Sequence, residues 1–101
     1  MSDRLGQLTR SDFAVHLNEP FRVCSAAATH ELLLVEANAL AAEEAAPTLR
    51  AQFSLVFRGP RSAALAQQIH RLEHSVLGEL ELFLVPIEPD AIGLRYEAIF
   101  G

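Results

Sequence analysis

The sequence predicts a small, mainly antiparallel β domain of the α+β type, a barrel or sandwich of about six strands with one short N-terminal helix. Stretches in which every second residue is apolar recur along the chain, and Gly and Pro separate them, as in strands joined by turns. The length of 101 residues suits one domain with one modest core. We therefore expect residues 1–101 to form a single β-rich domain in which residues 1–8 are flexible.

The composition argues against several classes of protein. Half of the residues are hydrophobic, which is enough to fold a globular core. The net charge is −5, and the eight basic residues, all Arg, are scattered singly, so no basic stripe exists for a nucleic acid. No apolar run reaches the ~18 residues of a membrane span, and the first residues lack the apolar region of a signal peptide. We expect a cytoplasmic protein that binds neither nucleic acid nor membrane.

The segment that begins at Leu8 has the pattern of a helix start. Thr9 suits the N-cap, Asp12 lies three residues on as in a capping box, and Leu8 and Phe13 are spaced to form a hydrophobic staple. Pro20 ends the helix, because the residue before a proline avoids the α region. A helix of about two turns is marginal alone, so we expect Phe13 to dock on the sheet and the helix to plug one end of it.

Two strands are expected next. Phe21–Cys24 is a short strand with two apolar residues on one side, and Ser25–Thr29 is a turn. Glu31–Ala37 is apolar on both faces, which is typical of a central strand covered on both sides, although periodicity alone leaves a buried helix open. The Ala-rich stretch Asn38–Ala46 is either one helical turn or a mobile connection.

The middle of the chain contains one clear strand and one ambiguous segment. Thr48–Arg58 alternates strictly, Gly59–Pro60 stops it, and its apolar face consists of Leu49, Ala51, Phe53, Leu55 and Phe57. Apolar residues in Ser62–His74 have helical spacing, whereas the second half of that segment also alternates as a strand would. The local pattern favours a helix.

The last part of the chain predicts a β-hairpin around a turn at Glu88–Gly93. Leu80, Leu82 and Leu84 share one face of the first strand, and the second strand, Leu94–Phe100, alternates in the same way. Pro86 indicates an edge position or a strand end, because proline cannot donate to a ladder. The other face of the first strand changes from charged to apolar, since it consists of Glu79, Glu81, Phe83, Val85 and Ile87.

Three blocks, Phe53–Pro60, Arg71–Ile87 and Tyr96–Phe100, resemble a family of small uncharacterised bacterial domains associated with phage-tail-collar-like proteins. The resemblance spans roughly residues 9–100, and the stretch Leu-Gly-Glu-Leu-Glu-Leu-Phe-Leu-Val-Pro is its most specific part. It implies that Gln68–His74 is a strand that ends at a turn. No catalytic residues come with the family, so the resemblance implies a fold more than a function.

Three residue patterns are each compatible with a catalytic or metal-binding site. His70–His74 reads H-x-x-E-H, the pattern of a group of zinc peptidases, but a strand there would direct Glu73 away from both His, and we interpret them as surface residues beside a turn. Cys24, the single Cys, is better explained as a buried thiol than as a nucleophile. Glu79 and Glu81 share a face as an acid/base pair would, but solvation explains them. We expect no catalytic residue, no metal site and no cofactor.

The sequence therefore predicts a non-catalytic protein–protein interaction or assembly module, and the resemblance implies that it is an accessory of a phage-tail-like or collar protein. We expect a protein partner or self-association, with Phe83, Val85 and Ile87 as the partner-binding residues. The competing interpretation is that these three residues complete the core, in which case Phe83→Ser unfolds the domain.

A barrel that holds a small apolar ligand is the second functional hypothesis, although the side chains of Phe53, Phe57, Leu82 and Leu84 suffice to fill its interior. A zinc-dependent hydrolase is the third hypothesis.

Overall fold

The computed structural model describes residues 8–24, 29–39 and 52–100, and it shows a closed barrel of six antiparallel strands with one short helix. The helix α1 spans Arg10–Ala14. The strands are β1 Pro20–Cys24, β2 Thr29–Ala39, β3 Phe53–Gly59, β4 Gln68–His74, β5 Gly78–Ile87 and β6 Leu94–Phe100. The predicted fold class is confirmed, and of the two predicted architectures the barrel is the one present.

The order of the strands around the barrel is β1-β2-β3-β6-β5-β4, and β4 pairs with β1 to close it. All neighbours are antiparallel, so β1, β3 and β5 begin at the end where β2, β4 and β6 finish. We call this the lower end. The predicted terminal hairpin is present as β5 and β6, which are joined by a turn and pair from Val85 opposite Glu97 to Ile87 opposite Arg95.

Alternate residues of every strand point into the barrel and fill it. The four side chains predicted to fill the interior, those of Phe53, Phe57, Leu82 and Leu84, are buried. Burial of one such side chain contributes about 1.5–3 kcal/mol, so this interior is the main source of stability. The other buried apolar residues include Phe21, Val23, Leu32, Leu34, Leu55, Leu72, Leu80, Tyr96, Ala98 and Phe100.

Helix α1 closes the lower end, as predicted. Thr9 Oγ1 accepts a hydrogen bond from the Asp12 amide at 3.3 Å, and Asp12 Oδ2 accepts one from the Thr9 amide at 2.8 Å, which completes the capping box. The helix has five residues and is shorter than the two turns expected. It is therefore held by its Phe13 ring, which lies 6.0 Å from that of Phe53 and 5.4 Å from that of Phe100.

The prediction that the second strand is covered on both sides is wrong. Leu32 and Leu34 face the interior, but Leu33 is 41% exposed on the outer surface. The register shifts between Leu34 and Glu36 where β2 pairs with β3, so Val35 is an extra residue of a β-bulge. A bulge reverses the alternation of faces, and this explains why the sequence here shows no strict period of two.

Segment boundaries differ from the predictions at two places. Residues 61–67 form turns and irregular structure rather than the favoured helix, while Gln68–His74 is a strand as the resemblance implied. Asn38 and Ala39 belong to β2. The predictions for residues 1–7, 25–28, 40–46 and 48–51 lie outside the described residues.

The turn between β5 and β6 is organised by Asp90. Its Oδ1 accepts hydrogen bonds from the amides of Ile92 and Gly93 at 2.9 Å, and its Oδ2 accepts one from Arg58 Nε at 2.8 Å. The Arg58 guanidinium, supported by these amides, holds the pKa of Asp90 well below its ordinary value. The carboxylate thus links the turn to β3.

Candidate functional site

The predicted partner-binding residues lie on the outer surface of β5. Leu80, Leu82 and Leu84 point inward, so the alternate residues point away from the core. Phe83 is 50% exposed, and Val85 and Ile87 are partly buried. Phe83 is therefore a surface side chain of a closed barrel, and it does not belong to the interior core.

Two exposed isoleucines extend this surface onto the neighbouring strands. Ile69 of β4 is the direct cross-strand partner of Phe83 and is 64% exposed. Ile99 of β6, two residues beyond the partner of Val85, is 65% exposed on the same outer side. We call the set of Ile69, Phe83, Val85, Ile87 and Ile99 the outer apolar patch.

Sequence analysis missed the two isoleucines of the patch because it could not derive which strands are neighbours. The alternation around Ile69 and Ile99 does place both residues on the faces opposite to buried ones. That signal becomes a patch only when the pairing of β4, β5 and β6 is known.

The outer surface near the lower end is charged instead of apolar. Arg22 of β1 lies between its cross-strand neighbours Glu31 and Glu73, and its Nη2 donates to Glu73 Oε1 at 2.7 Å. This hydrogen bond holds the pKa of Glu73 below its ordinary value. These three charged residues line an open pocket of about 310 Å³, which is also lined by Glu79.

The two glutamates and the cysteine considered for catalysis lie on this charged surface. Glu79 and Glu81 are exposed and face outward, as expected for solvated strand residues. Cys24 is only partly buried, so the prediction of a buried thiol is wrong. Its cross-strand neighbours are Thr29 and Arg71, and its thiol lies within hydrogen-bonding reach of Glu73.

The H-x-x-E-H motif is divided between the two sides of β4. His70 and His74 point inward and are buried, so the prediction that they are surface residues is wrong. Glu73 points outward to Arg22, as a strand requires. His70 Nε2 donates to the Ala66 carbonyl at 2.7 Å, which leaves the motif without the shared centre of a zinc peptidase.

His74 instead meets His16 and Glu19, two residues of the segment that follows α1. Glu19 Oε1 lies 2.8 Å from His74 Nε2 and 2.9 Å from His16 Nδ1, and the two imidazole rings are 4.4 Å apart. The hydrogen bond from His74 lowers the pKa of Glu19, with a further contribution from His16 and against the effect of desolvation. Sequence analysis missed this cluster because His74 lies 55 positions from Glu19 along the chain.

The hydrogen bonds of His74 decide what this cluster can do. Its Nδ1 accepts from the backbone amides of Val76 and Leu77 at 3.1 Å each, so Nδ1 carries no proton. The single proton of the neutral ring is then on Nε2 and is donated to Glu19. A metal ion bound to Nε2 would require the ring proton to move to Nδ1. Nδ1 could then no longer accept the hydrogen bonds of the two amides. The cluster therefore suits a hydrogen-bonded link between the N-terminal segment and β4, and its donor set does not suit a metal ion.

Among the described residues, no helix is long and apolar enough to cross a membrane. No curated protein and no solved structure matches the chain. The model of one protein family matches residues 8–100, which include all six strands and the helix. The chain thus belongs to the family described as Domain of unknown function (DUF6916).

Proposed function

We propose that this domain is a non-catalytic protein–protein interaction or assembly module, and that a partner protein docks on the outer apolar patch. The observation that carries the proposal is the cross-strand pair of Phe83 and Ile69, which are 50% and 64% exposed. Contiguous apolar side chains on the surface of a small domain are typical of interaction sites. Aromatic residues are also enriched among those that contribute most to binding.

The filled interior supports this proposal over a barrel that carries a small apolar ligand. Large side chains from all six strands meet inside the barrel, among them Phe57, Leu55 and Tyr96. A six-stranded barrel has little space beyond what its own side chains occupy. The surface is therefore the better candidate for binding.

The engagement of the buried polar groups supports a non-catalytic role over a zinc-dependent hydrolase. His70 bonds a carbonyl, and His74 bonds Glu19 and two amides. A general base needs a free lone pair within reach of a substrate. His74 uses both of its ring nitrogens in hydrogen bonds within the fold, and His70 donates its Nε2–H to a backbone carbonyl.

The resemblance to domains associated with phage-tail-collar-like proteins supports a more specific setting. In that setting the domain acts in the bacterial cytoplasm as an accessory of a phage-tail-like or collar protein. Support for this setting comes from the resemblance alone, whereas support for the docking surface comes from the exposed side chains.

The proposal is tested by capture of partners with Phe83→Ser and a matched control, Ile92→Ser. Ile92 is 73% exposed in the turn after β5 and lies outside the patch, so its replacement removes a similar apolar area. Tagged wild-type and variant domains are incubated with lysate of the natural host, and the eluates are analysed by native mass spectrometry. We expect a defined partner with the wild type and Ile92→Ser, and its loss with Phe83→Ser.

Circular dichroism of each variant shows whether the fold is intact. A folded Phe83→Ser domain that retains the partner would exclude the patch as the docking site. A wild-type domain that elutes alone with a bound small molecule would favour the apolar-ligand hypothesis.

A further inference from the structure

Residues 60–67 cross the upper end of the barrel, which is the end opposite to the one that helix α1 closes. This segment joins β3 to β4, and these two strands lie three places apart in the ring of six. They are therefore on opposite sides of the barrel, and the direct path between them runs across its mouth. We call residues 60–67 the strap.

Two polar side chains from the barrel hold the middle of the strap. Tyr96 Oη, on β6, accepts a hydrogen bond from the Leu65 amide at 3.0 Å. His70 Nε2, on β4, donates to the Ala66 carbonyl at 2.7 Å. Both side chains are buried, and buried polar groups need hydrogen-bond partners. Two consecutive residues of the strap provide these partners.

The strap has few other contacts with the part of the chain that the structure describes. Its Leu65 side chain is partly buried and packs on the core, and Arg61 donates to the Asp90 carbonyl of the neighbouring turn. The Ala63 amide bonds the Pro60 carbonyl within the strap itself. The strap belongs to no strand, and most of its residues are exposed. A segment with few buried apolar contacts has a low free energy of local opening.

The two ends of the barrel differ in how much apolar surface closes them. At the lower end the Phe13 ring is fully buried and lies 6.0 Å from the ring of Phe53 and 5.4 Å from that of Phe100. The strap has one large apolar side chain, that of Leu65, and this is only partly buried. Because burial of apolar area supplies most of the stabilisation, the upper end should open more easily than the lower end.

The side chains that hold the strap belong to paired strands. Tyr96 lies opposite Phe57 on one side and Pro86 on the other, and His70 lies opposite Leu82. These pairs do not involve the strap, so they remain when it moves. Opening therefore breaks the contacts of the strap without breaking the barrel.

We propose that the strap opens and closes over the upper end as one unit while the barrel stays folded, and that Tyr96 and His70 together hold it closed. Minor conformers of this kind are typically populated at about 0.1–10%. In the open form the Tyr96 hydroxyl, the His70 imidazole and the site left by Leu65 become accessible to solvent. The proposal is independent of the outer apolar patch.

Tyr96 is itself the probe for the first test. The chain has one Tyr and no Trp, so incorporation of fluorotyrosine into the full chain labels this contact alone. Fluorine NMR relaxation dispersion detects exchange on the microsecond-to-millisecond timescale of lid motions. We expect exchange in the wild type and an open population about tenfold higher in Leu65→Ala, which removes the apolar anchor. The control Ile92→Ala, at an exposed residue of the same end, should leave the population unchanged.

Hydrogen exchange tests whether the strap moves as one unit. The His70 Nε2 proton and the Leu65 amide should exchange at rates that hardly change in low concentrations of urea, because local opening exposes little surface. The ladder amides of β3 and β4 should exchange more slowly and depend steeply on urea. Tyr96→Phe keeps the ring and removes the hydroxyl, and it should speed exchange of the His70 proton about tenfold although the bond from His70 to Ala66 is unaltered.

Absence of exchange at Tyr96 in both the wild type and Leu65→Ala would overturn the proposal. A urea dependence of the His70 proton as steep as that of the ladder amides would also overturn it, since the strap would then open only when the barrel unfolds. Unchanged exchange of the His70 proton in Tyr96→Phe would show two independent contacts and exclude a single unit.

Discussion

Both faces of β5 carry large apolar side chains, but those on the inner face are buried in the core and Phe83 on the outer face is exposed. Leu82 and Phe83 are consecutive in the chain, yet Leu82 is 2% exposed inside the barrel and Phe83 is 50% exposed outside it. The period of two alone separates them. Apolar character therefore does not distinguish a residue that stabilises the fold from one that is available to a partner, whereas the face of the strand does.

The largest effect is expected from truncation on the inner face. Leu82→Ala removes buried methyl groups and leaves a cavity among packed neighbours, which costs about 2–5 kcal/mol. Equilibrium unfolding in urea measures this loss, and Ile69→Ala serves as the outer-face control. A loss for Leu82→Ala as small as that for Ile69→Ala would contradict the assignment of the two faces.

A second, smaller loss of stability is expected when the hydrogen bonds of His74 at the lower end are removed. His74→Phe keeps a ring beside Phe21, whose centroid is 4.5 Å from that of His74, but leaves the Val76 and Leu77 amides without their acceptor. An unsatisfied buried donor costs about 1–3 kcal/mol. Urea unfolding measures the change, and unchanged stability would show that these amides find another acceptor or water.

Acid should weaken the domain through three carboxylates. The pKa values of Glu19, Glu73 and Asp90 lie below their ordinary values of 4.5, 4.5 and 3.8, so the folded state favours their ionised forms. Their contribution is complete above those values and is lost as the pH falls through the lowered pKa of each.

Unfolding free energies measured from pH 7 to pH 2 test this dependence. Asp90→Asn, which cannot ionise, should be less stable than wild type at pH 7 and lose less on acidification. An identical pH dependence for the variant and the wild type would exclude Asp90 as a contributor.

The sequence allowed prediction of those features that depend on local pattern. The capping box at Thr9, the interior face of β5 and the terminal hairpin are all set by residues close together in the chain. The error in β2 came from assuming that an apolar outer residue such as Leu33 must be covered. Apolar character alone does not reveal whether a second layer exists.

Features that depend on pairing between distant segments were not predictable in the same way. The link between Glu19 and His74 joins residues 55 positions apart. The neighbours of Phe83 became known only with the order of β4, β5 and β6. Pro86 is explained by the same order, since it lies past the last pair with β4 and its missing N–H interrupts no bond of that ladder.

The most direct test of the separation between folding and binding is the unfolding free energy of Phe83→Ser. On the outer surface this substitution should change stability by less than about 1 kcal/mol, since exposed positions contribute little. That result, together with loss of the captured partner, is expected if Phe83 belongs to a docking surface. A loss as large as that of Leu82→Ala would place Phe83 in the core and contradict the proposed function.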